Sequence, residues 1–221
     1  MFALNFNKTF LPVAAHTSVM AILNLAVQLG LLHRHYDAEK AYLSAKLPQR
    51  ILCKFPNGQS IAGCIYVLAL CCIYGLKQAG HHWAKLSHEN IMTGEPRFTR
   101  SLTDENFYFL CTAALTVFLI SNVDDYAIFS SDESWYADFE RRYSTTGTTL
   151  ICEGPLERWC GQDIITNKDG TISLSQKYDI LATIQDMPGI AEMRPVDTPM
   201  ESNFHHLSSV KNRHPSGVVW L

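Results

Sequence analysis

Two adjacent carboxylates, Asp124 and Asp125, stand between the apolar run Leu115–Ile120 and a second one, Tyr126–Phe129. Apolar, β-branched and aromatic segments split by a short polar break read as strand, acidic turn, strand. This constrains the fold more than any other feature of the chain. Both runs need burial, yet the acids between them must stay at an edge that water or a cation can reach. An Asp-Asp turn is also an ordinary solvated connection. Two carboxylates at a hairpin tip are nevertheless well suited to a divalent metal, because hard cations such as Mg2+ prefer oxygen ligands and tolerate bound water.

A second acidic strand end strengthens the metal reading. The segment Leu31–Asp37 is an apolar stretch ending in a carboxylate, and Ala38-Glu-Lys-Ala-Tyr42-Leu43 after it is competent to form a helix. Asp37 also suits an N-cap for that helix. Three carboxylates converging on one sheet edge fit a two-metal site, in which the ions activate an attacking hydroxyl and stabilise the leaving oxygen during phosphoryl displacement. Nucleotidyl transfer is the natural reaction class.

The chain has 221 residues, 47% of them hydrophobic, which is enough to bury a full core in one large domain or two small ones. Its most apolar long segment, Ala14–Leu32, is broken by His16, Thr17, Ser18, Asn24 and Gln28, so a core helix is expected and no membrane span. The first eight residues lack the basic start and apolar stretch of a secretory signal. Seven cysteines form an odd set without a CxxC pair, so neither a disulfide framework nor a zinc site is expected. An intracellular, reducing compartment and a core-packing role for most of these thiols are the expectation. The formal net charge of −3 runs against a nucleic-acid enzyme, although a local basic groove can coexist with an acidic average.

Along the chain, Thr17 or Ser18 is expected to cap a helix running to about Gly30, with Val19, Ile22, Leu23, Leu25, Ala26 and Leu29 as its apolar face. Strands are expected over Leu31–Asp37, Ile51–Phe55 and Ile61–Leu70. A helix opens in Tyr74–Gly80 and continues to about Met92. Phe107–Leu110, Leu115–Ile120 and Tyr126–Ser130 read as an antiparallel set, followed by a helix over Trp135–Tyr143. Thr145–Thr149 reads as loop, Arg158–Ile165 and Thr171–Leu174 as a hairpin, and Gln176–Met187 as a last helix. Beyond Pro195 no sustained period is visible, and order is not expected there.

The order of these motifs resembles the reverse transcriptase region of copia-type retrotransposon polyproteins. Lys8-Thr-Phe-Leu-Pro-Val13 resembles that family's entry segment, and Tyr36-Asp-Ala-Glu-Lys-Ala-Tyr-Leu43 its first catalytic motif. Ile73-Tyr-Gly-Leu-Lys-Gln-Ala79 with Trp83 is the most specific match. Val123-Asp-Asp125 resembles the second catalytic motif, Trp159-Cys-Gly-Gln-Asp-Ile164 the strand after it, and Leu174-Ser-Gln-Lys-Tyr178 with Thr198-Pro-Met200 the run toward the thumb.

The resemblance implies an α+β polymerase palm, an antiparallel sheet backed by helices, with incomplete fingers and the start of a thumb. The palm-type domain is expected over residues 1–200, with a poorly ordered tail over 201–221. By resemblance, Asp37, Asp124 and Asp125 hold two Mg2+ ions, with Mn2+ as a substitute. Tyr42 falls where similar polymerases place an aromatic against the sugar 2′-position, and Gln78 where they place a polar contact to the incoming nucleotide. Lys77, with His81, His82 and Lys85 nearby, is a candidate contact to template or phosphates. The partners implied are an RNA or DNA template-primer, deoxynucleoside triphosphates, and a separate segment supplying the basic fingers or an RNase H region. Three departures stand out: Asn122 replaces the aromatic usual before Val123, His81-His82 replaces a Pro-Arg type of pair, and Pro48-Gln-Arg50 stands where an acid is common. Two further readings stay open. One is a retroelement remnant without turnover, binding at most nucleic acid or protein. The other is a different two-metal enzyme such as a cyclase or nuclease, against which the Tyr-Gly-Leu-Lys-Gln-Ala motif argues.

Overall fold

The apolar runs on either side of Asp124-Asp125 pair with each other and with the segment that ends in Asp37. The computed structural model describes residues 9–189. The described elements are the helices His16–Leu29 (α1), Ala41–Ser44 (α2), Ala79–Ile91 (α3), Ser134–Ser144 (α4) and Lys177–Gln185 (α5). The strands are Leu32–Ala38 (β1), Lys46–Lys54 (β2), Tyr66–Cys71 (β3), Thr99–Arg100 (β4), Phe107–Cys111 (β5), Thr116–Asn122 (β6), Asp125–Ser130 (β7), Leu150–Gly154 (β8), Arg158–Trp159 (β9), Gln162–Thr166 (β10) and Ile172–Ser175 (β11). The chain divides into a unit through Tyr178 and a second from Asp179 onward, which begins within α5. The first unit holds the sheet and all three acids. The expectations for Thr198-Pro-Met200, for the chain beyond Pro195 and for the tail 201–221 lie outside the described residues.

The main sheet has the order β4-β5-β6-β7-β1-β8, with its ladders antiparallel. β6 and β7 are buried on both faces, so their residues are apolar almost throughout and do not alternate with polar ones. One face, carrying Tyr36, Tyr126, Ile128, Val117 and Leu119, packs under α3 and α4 through Trp83, Ile91, Trp135, Tyr136 and Phe139. The other, carrying Phe118, Ile120, Ala127 and Phe129, is covered by Val19, Ile22, Leu23 and Ala26 of α1 and by Trp159 and Ile164. Each fully buried Ile, Leu or Phe contributes roughly 1.5–3 kcal/mol. The expected combination of antiparallel sheet and helices is present.

Several polar groups inside this core are paired, although the indole N–H groups of Trp135 and Trp159 are buried without a partner among the described residues. Ser87 Oγ lies 2.8 Å from the Tyr126 hydroxyl, which lies 2.9 Å from that of Tyr143, and Asn90 Nδ2 donates to Thr148 Oγ1 at 3.2 Å. These bonds explain why α3 buries Ser87 and Asn90 alongside Trp83 and Ile91.

Several local expectations need correction. α1 begins at His16, with Ala15 as its N-cap, so Thr17 and Ser18 lie within its first turn; the Ala15 N–H donates to Asp104 Oδ2 at 2.9 Å. Leu25 and Leu29 are exposed, which narrows the apolar face to the i, i+3, i+4, i+7 set. Gly30 does end the helix, in the left-handed region at φ +61°, its N–H reaching the carbonyls of Ala26 and Val27. Asp37 caps no helix: it is a strand residue, and Lys40 takes the N-cap position of α2. Leu150–Gly154, not among the strands expected from sequence, is the strand beside β1. The seven cysteines are free thiols, but only Cys72 is buried and four are exposed, so core packing does not account for most of them.

His33 ties β1 to the chain beyond β8. Its Nδ1 accepts from the Leu156 N–H at 3.0 Å, its Nε2 lies 3.3 Å from Thr166 Oγ1, and burial lowers its pKa. A lowered folded value means that the unfolded chain takes up the proton first, so this contribution to stability is complete above the ordinary value of 6.5 and is lost as pH falls through the folded value. We expect His33→Asn, which keeps an acceptor but cannot titrate, to lose less stability than the unsubstituted chain between pH 7 and pH 5 in urea unfolding. Parallel losses would refute this role.

Candidate active site

Antiparallel pairing of β1 with β7 sets Tyr36 opposite Tyr126 and Asp37 opposite Asp125. Directly opposed residues share a face with their Cβ atoms about 5 Å apart. Asp124 occupies the two-residue turn just ahead, and its carbonyl accepts from the Ala38 N–H at 2.8 Å. The turn is thus Val123-Asp124, while Asp125 already belongs to β7. Three carboxylates from distant stretches of sequence are brought to one edge.

Their surroundings are electrostatically unfavourable. The pKa of Asp37 is raised by burial first and then by the charges of Asp124 and Asp125. That of Asp124 is raised by burial and by Asp125, against a backbone hydrogen bond that opposes the shift. Among the described residues, no side chain donates a hydrogen bond to the carboxylate of Asp37 or Asp124. Asp125 differs: His35 Nε2 lies 3.1 Å from its Oδ1, and His35 Nδ1 lies 3.0 Å from Glu153 Oε2. The bond to Asp125, opposed by burial, raises the pKa of His35. As the side chains stand, no three His, Cys, Asp or Glu among the described residues are grouped closely enough to hold one metal ion.

The hairpin tip is strained and anchored. Val123 sits at φ +60°, an outlier for a β-branched residue that costs on the order of 1–3 kcal/mol. Its carbonyl accepts from Trp83 Nε1 at 2.6 Å, and Trp83 is fully buried. Trp83 thus packs and also bonds the turn between the two apolar runs.

A family model described as reverse transcriptase (RNA-dependent DNA polymerase) matches residues 2–202. The chain belongs to that family. It is also 29% identical over 131 residues to the Retrovirus-related Pol polyprotein from transposon RE2 of Arabidopsis thaliana, a match covering 58% of this chain and 9% of that polyprotein. The resemblance to a retrotransposon reverse transcriptase, read from the motifs, is borne out.

Within this reverse transcriptase sequence the other candidate residues are distributed as follows. Tyr42, half-buried on α2, stacks edge-on against Tyr74 with ring centroids 4.9 Å apart, and its pKa is raised by burial and by the Asp124 charge, so it stands within that carboxylate's field. Gln78 is the N-cap of α3, the helix whose Trp83 holds Val123, and its Oε1 is buried without a partner among the described residues. Lys77 is exposed in the loop before α3. Lys85 pairs with Glu89 at 3.9 Å on the exposed face of the same helix. His35 and Glu153 were missed. The alternation that puts residues i and i+2 of a strand on one face pairs His35 with Asp37, and Leu150-Ile-Cys-Glu-Gly154 has the apolar run and terminal glycine of a short strand.

Two outcomes are expected from this geometry. Trp83→Phe leaves the Val123 carbonyl without its donor and should lower stability by about 1–3 kcal/mol in denaturant unfolding; an unchanged midpoint would show that the turn holds itself. Because the raised pKa of Asp37 makes its ionised form a cost to the fold, stability falls as pH rises from the ordinary carboxylate value of 3.8 through the folded value. Asp37→Asn should therefore melt higher than the unsubstituted chain at pH 7, with the gap closing near pH 4. A lower melting temperature at pH 7 would contradict this.

Proposed function

We propose that this chain is the polymerase palm of a retroelement reverse transcriptase, with a site for template-directed DNA synthesis formed by Asp37, Asp124 and Asp125. The observation that carries the reading is the uncompensated charge of Asp37 and Asp124. These are adjacent, partly buried carboxylates with raised pKa values and no side-chain donor among the described residues. Asp37 also faces Asp125 directly across the β1–β7 ladder, and like charges so placed destabilise a sheet. Carboxylate oxygens are the donors that Mg2+ or Mn2+ prefers, so the set fits a divalent pair. When bound, such ions supply a lowered pKa for the primer 3′-hydroxyl and charge neutralisation on the triphosphate.

The remaining work falls to the chain's own residues. Asp37 and Asp124 provide the negative oxygens, and the Val123 turn, held by Trp83, fixes where Asp124 projects. Tyr42, beside Asp124 and backed by Tyr74, is suited to restrict the space around the incoming sugar. Gln78, at the start of the helix that carries Trp83, is the candidate polar contact to the incoming nucleotide. Lys77 offers a cation for phosphates. A partner or neighbouring segment carrying basic residues would complete the grip on the triphosphate, and an RNase H region would act on the copied RNA.

A retroelement remnant without turnover is the competing reading. It is favoured by the bond that diverts Asp125 to His35 and by the lack of a three-ligand group among the described residues. Primer extension on an RNA template with Mg2+ or Mn2+ separates the two, beside the Asp124→Asn, Asp125→Asn double variant. Extension by the unsubstituted chain that drops at least about a hundredfold in the variant is the expected result. A folded sample that extends nothing with either metal would leave the remnant reading.

A further inference from the structure

The site contains a side-chain relay that the three aspartates alone do not explain. β8 pairs with β1 through a bulge: Gly154 opposes His35, Cys152 opposes Tyr36, and Glu153 is the additional residue between them. A bulge of this kind re-aims a side chain, and here Glu153 reaches His35 Nδ1 at 3.0 Å. Gly154 takes φ +96°, a conformation open to glycine. On its other side the imidazole meets Asp125 Oδ1 at 3.1 Å. Trp159 packs edge-on against the ring, with centroids 5.9 Å apart. The ring is therefore held at both nitrogens and on its flank, although only one of its partners is an aspartate of the site.

We propose that His35 is a positioning residue, clamped between Asp125 and Glu153, that fixes the Asp125 carboxylate beside Asp37 and Asp124 in the divalent-ion site. This rests on the polymerase reading. The physical argument is one of number and freedom. Three like charges at one strand edge repel, and an unheld Asp125 beside Asp37 would sample rotamers that crowd the other two. A ring anchored from the next strand removes that freedom before any ion arrives. His35, Asp125, Glu153, Trp159 and Cys160 line one cleft of about 430 Å3.

The test is Mn2+ binding to the full chain, followed by the paramagnetic resonance of the free ion, for the unsubstituted protein and His35→Ala, His35→Gln, Glu153→Ala and Asp124→Asn, with thermal unfolding of each. Loss of an outer hydrogen-bond partner typically weakens metal affinity about tenfold or more. His35→Ala should do so, Glu153→Ala should shift affinity the same way by less, and His35→Gln, which retains an N–H donor, should stay near the unsubstituted chain. Unchanged affinity in His35→Ala, beside a loss in Asp124→Asn, would overturn the positioning role while leaving the metal site intact. Equal weakening in His35→Ala and His35→Gln, tracking equal falls in melting temperature, would make the histidine merely structural and also overturn it. If His35→Ala does not fold, Glu153→Ala decides, and unsubstituted affinity there overturns the proposal. Absence of Mn2+ binding in the unsubstituted chain removes the polymerase reading itself, and the role of His35 with it.

Discussion

The hydrogen bond from Trp83 to the Val123 carbonyl joins the helix layer to the hairpin, and the arrangement of acids depends on it. A valine in the left-handed region is unfavourable by on the order of 1–3 kcal/mol, and an unpaired buried carbonyl costs a similar amount. The two are matched in scale: the tryptophan satisfies the carbonyl only while the turn keeps its strained shape. Trp83 is fully buried under the sheet face that carries Tyr36 and Tyr126. Packing of α3 therefore bears directly on where Asp124 projects, and the motif from Tyr74 to Trp83 has a structural role as well as any contact to substrate.

Charge is the second constraint. The sheet brings Asp37, Asp124 and Asp125 together against their mutual repulsion, and stability elsewhere offsets it, chiefly from β6 and β7, which are apolar on both faces. Within the cluster the acids are not equivalent. Asp125 has a partner in His35, whereas Asp37 and Asp124 carry raised pKa values without a side-chain donor. On the proposed polymerase reading, a site that is costly when empty and relieved by a cation is the usual compromise between stability and chemistry.

The hairpin, the strand ending in Asp37 and the helix over Ala79–Ile91 were legible because their apolar patterns run long enough to declare a period, and because the acids interrupt them at the right places. Membership of the reverse transcriptase family was legible in the ordered motifs. Less visible was whatever depends on pairing between distant segments. The strand Leu150–Gly154 is short, and its bulge is set by its partner β1. The N-cap of α1 is Ala15, whose N–H is taken up by Asp104 far along the chain, so the local Thr17 and Ser18 misled. The role of His35 follows from a contact to Glu153 that no local spacing announces. The exposed cysteines show the same limit, since an apolar neighbourhood in sequence does not by itself bury a side chain in a turn, at a strand end or at a sheet edge.

The position of β1 in the strand order has a kinetic meaning. It lies between β7 and β8, both of which come much later in the chain, so Asp37 meets its fellow acids only after long-range ladders have closed. Such pairings form slowly, because loop closure must precede the contacts that reward it. A chain still emerging from the ribosome carries its acids dispersed along the sequence. The carboxylate cluster is thus a late product of folding, and its assembly coincides with completion of the sheet.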